Sequence, residues 1–158
     1  FPTRRSSDLR RGTYQVVRVL RPGRRPSGRD DGESVPQHRP RLFMVGFKDK
    51  SIEFEFPEPV KLVMTMDDVF NGKVNKTVGY TLRVGGRGSG LADRRNWDTY
   101  LVDGEVRRLS PKEGLRMQGF PDTFQFPVSE TQAMKQLGNS VAVPAIQATA
   151  NEIIKRLK

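Results

Sequence analysis

The sequence predicts a mixed α/β fold, and three observations carry that prediction. Two short strand-like runs, Tyr14–Leu20 (YQVVRVL) and Arg41 to Phe47 (RLFMVGF), lie near the start. A two-residue turn signal, Asp103-Gly104, sits between Thr99-Tyr100-Leu101-Val102 and Glu105 to Leu109. Helix signals gather toward the end, at Ser110-Pro111 and from about Pro144 to Leu157. Composition allows a packed core: 35% of the 158 residues are hydrophobic, with 15 glycines besides.

Each element has a local reason. Tyr14–Leu20 is short and rich in β-branched residues. Arg21 to Ser34 is nearly all Arg, Gly, Pro, Ser and Asp, which reads as a loop or as frameshifted text. Arg41 to Phe47 is apolar on both faces after its first residue, as suits a strand covered on both sides. Pro57-Glu58-Pro59 breaks regular structure. Thr65 caps a short helix with Asp67 and Asp68 in its first turn. Tyr80 to Val84 reads as a strand, followed by the glycine-rich Gly85 to Gly90 and a polar loop, Leu91 to Asp98, with the single Trp97. Asp103-Gly104 marks a hairpin. Ser110, Pro111 and Glu113 combine a capping hydroxyl, a proline at the first helical position and a carboxylate three residues after the cap. A second helix starts after Ser129 and stops at Gly138-Asn139-Ser140, where glycine is free to take positive φ. In the last helix Ile146, Ala150, Ile153, Ile154 and Leu157 share one face.

Charge narrows the partners. The net charge is +10 and the isoelectric point near 10.4, a balance that favours a polyanion. There is no cysteine, so thiol metal sites are excluded, and no apolar run approaches the ~20 residues of a membrane span. His38 has no partner at ligand spacing, so no metal is expected. Phe1 to Leu9 back-translates without mismatch as TTC CCT ACA CGA CGC TCT TCC GAT CTN. That run is a common sequencing adapter, so residues 1–9 are expected to be an artefact and stand outside fold reasoning.

Three ordered motifs point further. VPQHRPRLFMVGF (Val35 to Phe47) contains Gln37, Arg39 and Arg41. RRLSPKEGLRMQGFPDTF contains Arg107, Leu109, Glu113, Arg116 and Gly119-Phe120-Pro121. QAMKQLGNSVAVP contains Gln136 to Val141. Together they resemble the Gln-x-Arg-x-Arg motif and the last two conserved motifs of the DNA cytosine-5 methyltransferases. The resemblance covers roughly residues 12 to 158 and only the C-terminal part of a family member. It implies the last strands and returning helix of a Rossmann-like methyltransferase domain plus a small, mostly β target-recognition domain. The implied boundaries are 10–60 for the catalytic strands, 61–126 for target recognition, and 127–158 for the last motif and the helix returning beside the two early strands.

The resemblance also implies chemistry. In the family a cysteine thiolate attacks carbon 6 of a flipped cytosine, and carbon 5 takes the methyl group of S-adenosylmethionine. The nucleophile, the glycine-rich cofactor loop and the Glu-Asn-Val block are missing here, so the fragment is expected to be silent alone and to need the N-terminal portion of the same enzyme. Arg41 is implied as the donor to the 2-keto oxygen of the base, with Arg39 a structural or phosphate contact beside it and Gln37 a brace. Asn139, Ser140 and Val141 are implied cofactor contacts. Thr81, of the Thr81-Leu82 pair, is expected to meet a phosphate, Arg83 and Arg87 base edges, and Arg94 and Arg95 the backbone of duplex DNA. Glu113 and Arg116 read as a structural pair, and Trp97 as a loop anchor or a DNA contact. The family's setting is cytoplasmic. The competing class is a non-enzymatic basic DNA- or RNA-binding module, which explains the charge and leaves the motifs as coincidences.

Overall fold

The structure is a computed structural model that describes residues 14–20, 35–39, 41–49, 51–57 and 64–157. The adapter-like residues 1–9, the arginine-rich stretch 21–34 and the Glu58-Pro59 break lie outside them. The element order is β1 (Tyr14–Leu20), β2 (Arg41–Gly46), α1 (Met66–Phe70), β3 (Thr99–Val102), β4 (Glu105–Arg108), α2 (Pro111–Met117), α3 (Glu130–Asn139) and α4 (Val143–Leu157). The mixed α/β class holds.

The strands form two antiparallel pairs, β1 with β2 and β3 with β4. β1–β2 runs from Tyr14 opposite Gly46 to Leu20 opposite Arg41, with an irregularity between Val16 and Arg18. β2 was expected to be covered on both faces. Val45 is buried, but its neighbour Met44 stands 69% exposed, so the described residues cover one side only. β3–β4 turns at Asp103 and Gly104, with φ of 51° and 84°, the two positive values that a type I′ hairpin requires.

The helix starts follow their caps. The Asp68 carboxylate accepts the Thr65 N–H at 2.6 Å and its hydroxyl at 2.9 Å ahead of α1. The Ser110 Oγ accepts the Glu113 N–H at 3.3 Å, and Glu113 accepts the Ser110 N–H at 2.7 Å, which closes the predicted capping box of α2.

Two expectations fail. Tyr80 to Val84 belongs to no ladder; the nearest pairing is the bridge between Gln37 and Gly79. Its backbone groups are taken by other partners: the Tyr80 N–H donates to the Tyr100 hydroxyl at 2.9 Å, and the Leu82 carbonyl accepts from Arg39 at 3.0 Å. The region expected to be mostly β holds two four-residue strands beside two short helices and much irregular backbone, so strand is a minority there.

One core joins α1, the hairpin, α2 and α3. It contains Met66, Val69, Phe70, Leu82, Trp97, Tyr100, Leu109, Met117, Met134 and Leu137. Among the described residues the extensive element contacts are β1 with β2, β3 with β4, α2 with α3, and α1 with α2. α4 is anchored at its start, where the Val143 N–H donates to the Gln118 carbonyl at 2.9 Å. Further along, Ile146, Ile154 and Leu157 remain exposed. No helix among the described residues is long and apolar enough to cross a membrane.

Candidate nucleic-acid interface and cofactor turn

The Gln-x-Arg-x-Arg motif and the last motif meet at Arg39, which is 1% exposed. Its guanidinium donates to three carbonyls: Leu82 at 3.0 Å, Gly138 at 2.8 Å, and Ser140 at 3.1 Å through Nε and also through Nη2. A planar fork of five N–H donors can serve three diverging acceptors at once, which an ammonium on a flexible stem does less well. One buried side chain therefore ties the Gln-x-Arg-x-Arg segment to the Thr81-Leu82 segment and to the Gly138-Asn139-Ser140 turn. Thr81 adds a second tie: its hydroxyl donates to the His38 carbonyl.

The turn is built differently from a glycine-capped helix end. Neither Gly138 nor Asn139 has positive φ, and α3 continues through Asn139 to an extended C-cap at Ser140. Gly138 is small for another reason. A Cβ there would fall 2.5 Å from the Arg83 carbonyl carbon and 2.6 Å from the Val84 nitrogen, so the helix end presses directly on the backbone of the segment that follows Leu82. Gln118 fastens the other side: its amide donates to the Leu137 carbonyl at 2.8 Å, and its Oε1 accepts the Ser140 hydroxyl at 2.8 Å. Asn139 stays exposed, with Ser140 and Val141 half-buried beside it.

The remaining candidates divide by environment. Arg41 opens β2, two residues past Arg39, and is half-buried. Gln37 is fully buried, and among the described residues neither its Oε1 nor its Nε2 finds a hydrogen-bond partner. Arg83 and Arg94 are exposed. Arg95 pairs with Asp93 at 2.9 Å at the surface, and its side chain and N–H hold the Asp93 carboxyl down at about 2. Arg87 is engaged inside the protein, with Asp98 at 3.3 Å, Glu130 at 3.0 Å and the Leu109 carbonyl at 3.0 Å. Glu113 and Arg116 take separate partners: Arg107 at 2.8 Å for the first, Asp122 at 3.7 Å for the second. Trp97 is a buried loop anchor whose indole N–H donates to the Gly85 carbonyl at 3.1 Å. Asp98, fully buried, has no signal in the sequence, because an aspartate ahead of a strand matches no local pattern.

Residues 84–155 match the family model of the C-5 cytosine-specific DNA methylases. The chain is 36% identical over 171 residues to the Type II methyltransferase M.HpaII of Haemophilus parainfluenzae, covering 78% of this chain and 48% of that protein. It is 33% identical over 152 residues to the Type II methyltransferase M.NlaX of Neisseria lactamica, covering 75% and 48%. Among solved structures it is similar to EhMeth, a methyltransferase of Entamoeba histolytica, with a TM-score of 0.56 and 14% identity over 79% of this chain and 51% of that one. That likeness gives the class: a fold shared with a methyltransferase. The sequence matches make it specific, and the chain belongs to the C-5 cytosine-specific DNA methylase family. It spans about half the length of the curated relatives it matches.

Proposed function

We propose that this chain is the C-terminal part of a DNA cytosine-5 methyltransferase: it reads duplex DNA and supplies one wall each of the base pocket and the methyl-donor pocket. The observation that carries this reading is the Arg39 knot, which joins all three segments that such a part must hold together. In this reading β1, β2 and α4 belong to a Rossmann-like catalytic domain, with residues 61–126 as the target-recognition domain. Arg41 is the donor to the flipped cytosine, because a guanidinium stays charged at any working pH and can hold the base's carbonyl without a proton switch.

Asn139 is the group best suited to the polar end of S-adenosylmethionine. Its carboxamide is exposed on a turn whose carbonyls are already tied inward by Arg39 and Gln118, so the turn is stiff before any ligand arrives. The bound cofactor would supply the methyl group. These residues would hold its edge only, and the rest of that pocket would come from outside the described chain. Arg83 and Arg94, both exposed, are suited to reach DNA. Thr81 supports the reading segment through His38.

The nucleophilic thiolate cannot come from this chain, which has no cysteine. The remainder of the enzyme would provide it and would cover the apolar face of α4 and the open side of β2 at Met44. The test is a methyl-transfer assay beside a duplex-binding assay. The chain alone should bind duplex DNA with steep salt dependence and transfer no methyl group; co-expression with the upstream half of the gene should restore 5-methylcytosine formation. Methylation by the chain alone, or no duplex binding at low salt, would overturn the proposal.

A further inference from the structure

We infer that Asp98 is a positioning residue for sequence reading, acting through the Gly85–Gly90 loop; the inference rests on the DNA-reading function proposed above and refines it. Three consecutive residues fasten that loop from one side. Trp97 donates its indole N–H to the Gly85 carbonyl at 3.1 Å. Asp98 Oδ2 accepts Arg87 Nε at 3.3 Å and the Gly88 N–H at 3.4 Å, with Arg108 Nε 3.5 Å away. Thr99 donates its hydroxyl to the Ser89 carbonyl at 3.0 Å. Gly86 and Gly88 have φ of 79° and 93°, so the loop follows a path that only a few residue types adopt without strain.

A glycine loop of this composition would be floppy if left to itself. Here Trp97, Asp98 and Thr99 are all buried, and the strand that opens at Thr99 belongs to the core hairpin. The loop is thus clamped to the buried hairpin side of the core. Preformed shape lets a loop discriminate between sequences without losing order on binding. Arg87, which the sequence pointed toward base edges, is held by Asp98, Glu130 and the Leu109 carbonyl. Its role is to knit the loop to β4 and α3, and the exposed Arg83 before the loop does the outward work.

The charge of Asp98 gives a test with opposite signs. Asp98→Asn removes one negative charge from a basic DNA-binding chain, so electrostatics alone should tighten binding to every duplex. Loss of positioning should instead weaken the preferred duplex alone. The preferred sequence is first selected by the wild-type chain from a pool of random duplexes, then compared with a scrambled duplex of the same length and base content. For Asp98→Asn we expect at least a tenfold loss of preferred-site affinity with scrambled-duplex affinity unchanged or higher. Thr99→Val, which alters no charge and little volume, should show a smaller loss in the same direction. In both variants Trp97, the single tryptophan, should become more accessible to acrylamide quenching. Folded variants that retain wild-type discrimination, or an Asp98→Asn that tightens both duplexes equally, overturn the inference; if Asp98→Asn does not fold, Thr99→Val decides. A wild-type chain that enriches no sequence at all sinks the proposed DNA reading itself, and this inference with it.

Discussion

Gly138→Ala offers the sharpest test of the geometry, because two lines of reasoning give it opposite signs. Gly138 lies in the last turn of α3, and glycine in a helix is about 1 kcal/mol less favourable than alanine. On helix propensity alone the substitution should stabilise. The structure puts the new Cβ 2.5 Å, 2.6 Å and 2.7 Å from the Arg83 carbon, the Val84 nitrogen and the Arg83 oxygen. All three are backbone atoms, which cannot rotate aside as a side chain would. Forcing an extra carbon into a filled site costs about 1–3 kcal/mol, and the upper half of that range applies where the neighbour is main chain. Offsetting this with the propensity gain leaves a net destabilisation of about 1–2 kcal/mol.

Urea unfolding followed by Trp97 fluorescence would measure the effect. With a slope of about 2 kcal/mol per molar for a chain of this size, the midpoint should fall by about 0.5–1 M at unchanged slope. Gly85→Ala is the control, since a Cβ at that position would have nothing within 4 Å and its φ is not positive; it should leave the midpoint where it is or raise it slightly. A Gly138→Ala chain as stable as wild type, or more so, would refute the contact between the end of α3 and the Arg83-Val84 backbone. The proposed closeness of the cofactor turn to the reading segment would go with it.

Other perturbations follow from the same contacts. Arg39→Met leaves three carbonyls that Arg39 now serves without that donor, so we expect a loss of about 3 kcal/mol or more in thermal or urea unfolding, with Arg39→Lys recovering only part. Gln37→Met replaces a buried amide, with no partner at either end among the described residues, by an apolar side chain of similar size; the isolated chain should be stabilised by about 1 kcal/mol, read as a higher urea midpoint. Asp93 has its carboxyl held at about 2 by the side chain and N–H of Arg95, below the ordinary 3.8. Its contribution is therefore present above about pH 4 and lost as pH falls through about 2. A carboxyl carbon titration by nuclear magnetic resonance should show the low midpoint, and Arg95→Ala should return it toward 3.8.

What could be read from the sequence was what depends on near neighbours. The Thr65 cap and the Ser110 capping box each span four residues, and the Asp103-Gly104 turn spans two, so the residue types alone specify them. The motif residues were recognisable as a set by their order. Their mutual contacts were not, because Arg39 reaches partners 43, 99 and 101 positions away and no local pattern encodes such a meeting. Gly138 shows the same limit from the other side. A glycine at a helix end is read as a turn former, yet here its value lies in the missing Cβ where another backbone passes. Tyr80 to Val84 failed as a strand for a related reason. Its residue types suit a ladder, but a buried arginine, a tyrosine hydroxyl and a helix end occupy the groups a ladder would use.

The features that break ordinary folding rules are unevenly placed. The hairpin core from α1 to α3 is densely buried, and among the described residues Asp98 Oδ1 is its one buried side-chain atom without a hydrogen-bond partner. Away from it, Gln37 is buried with no partner among the described residues, Met44 is 69% exposed, and Ile146, Ile154 and Leu157 line an open face of α4. Single exposed apolar residues are common on any protein; a run of them at helical spacing is not. A free-standing DNA-binding module has no use for such a face, since phosphates are met by cations and hydroxyls. A chain that completes a larger α/β enzyme does, because apolar helix faces are what dock on sheets. The uncovered face of α4 therefore favours the enzyme-part reading over the binding-module reading, and it does so independently of the motifs.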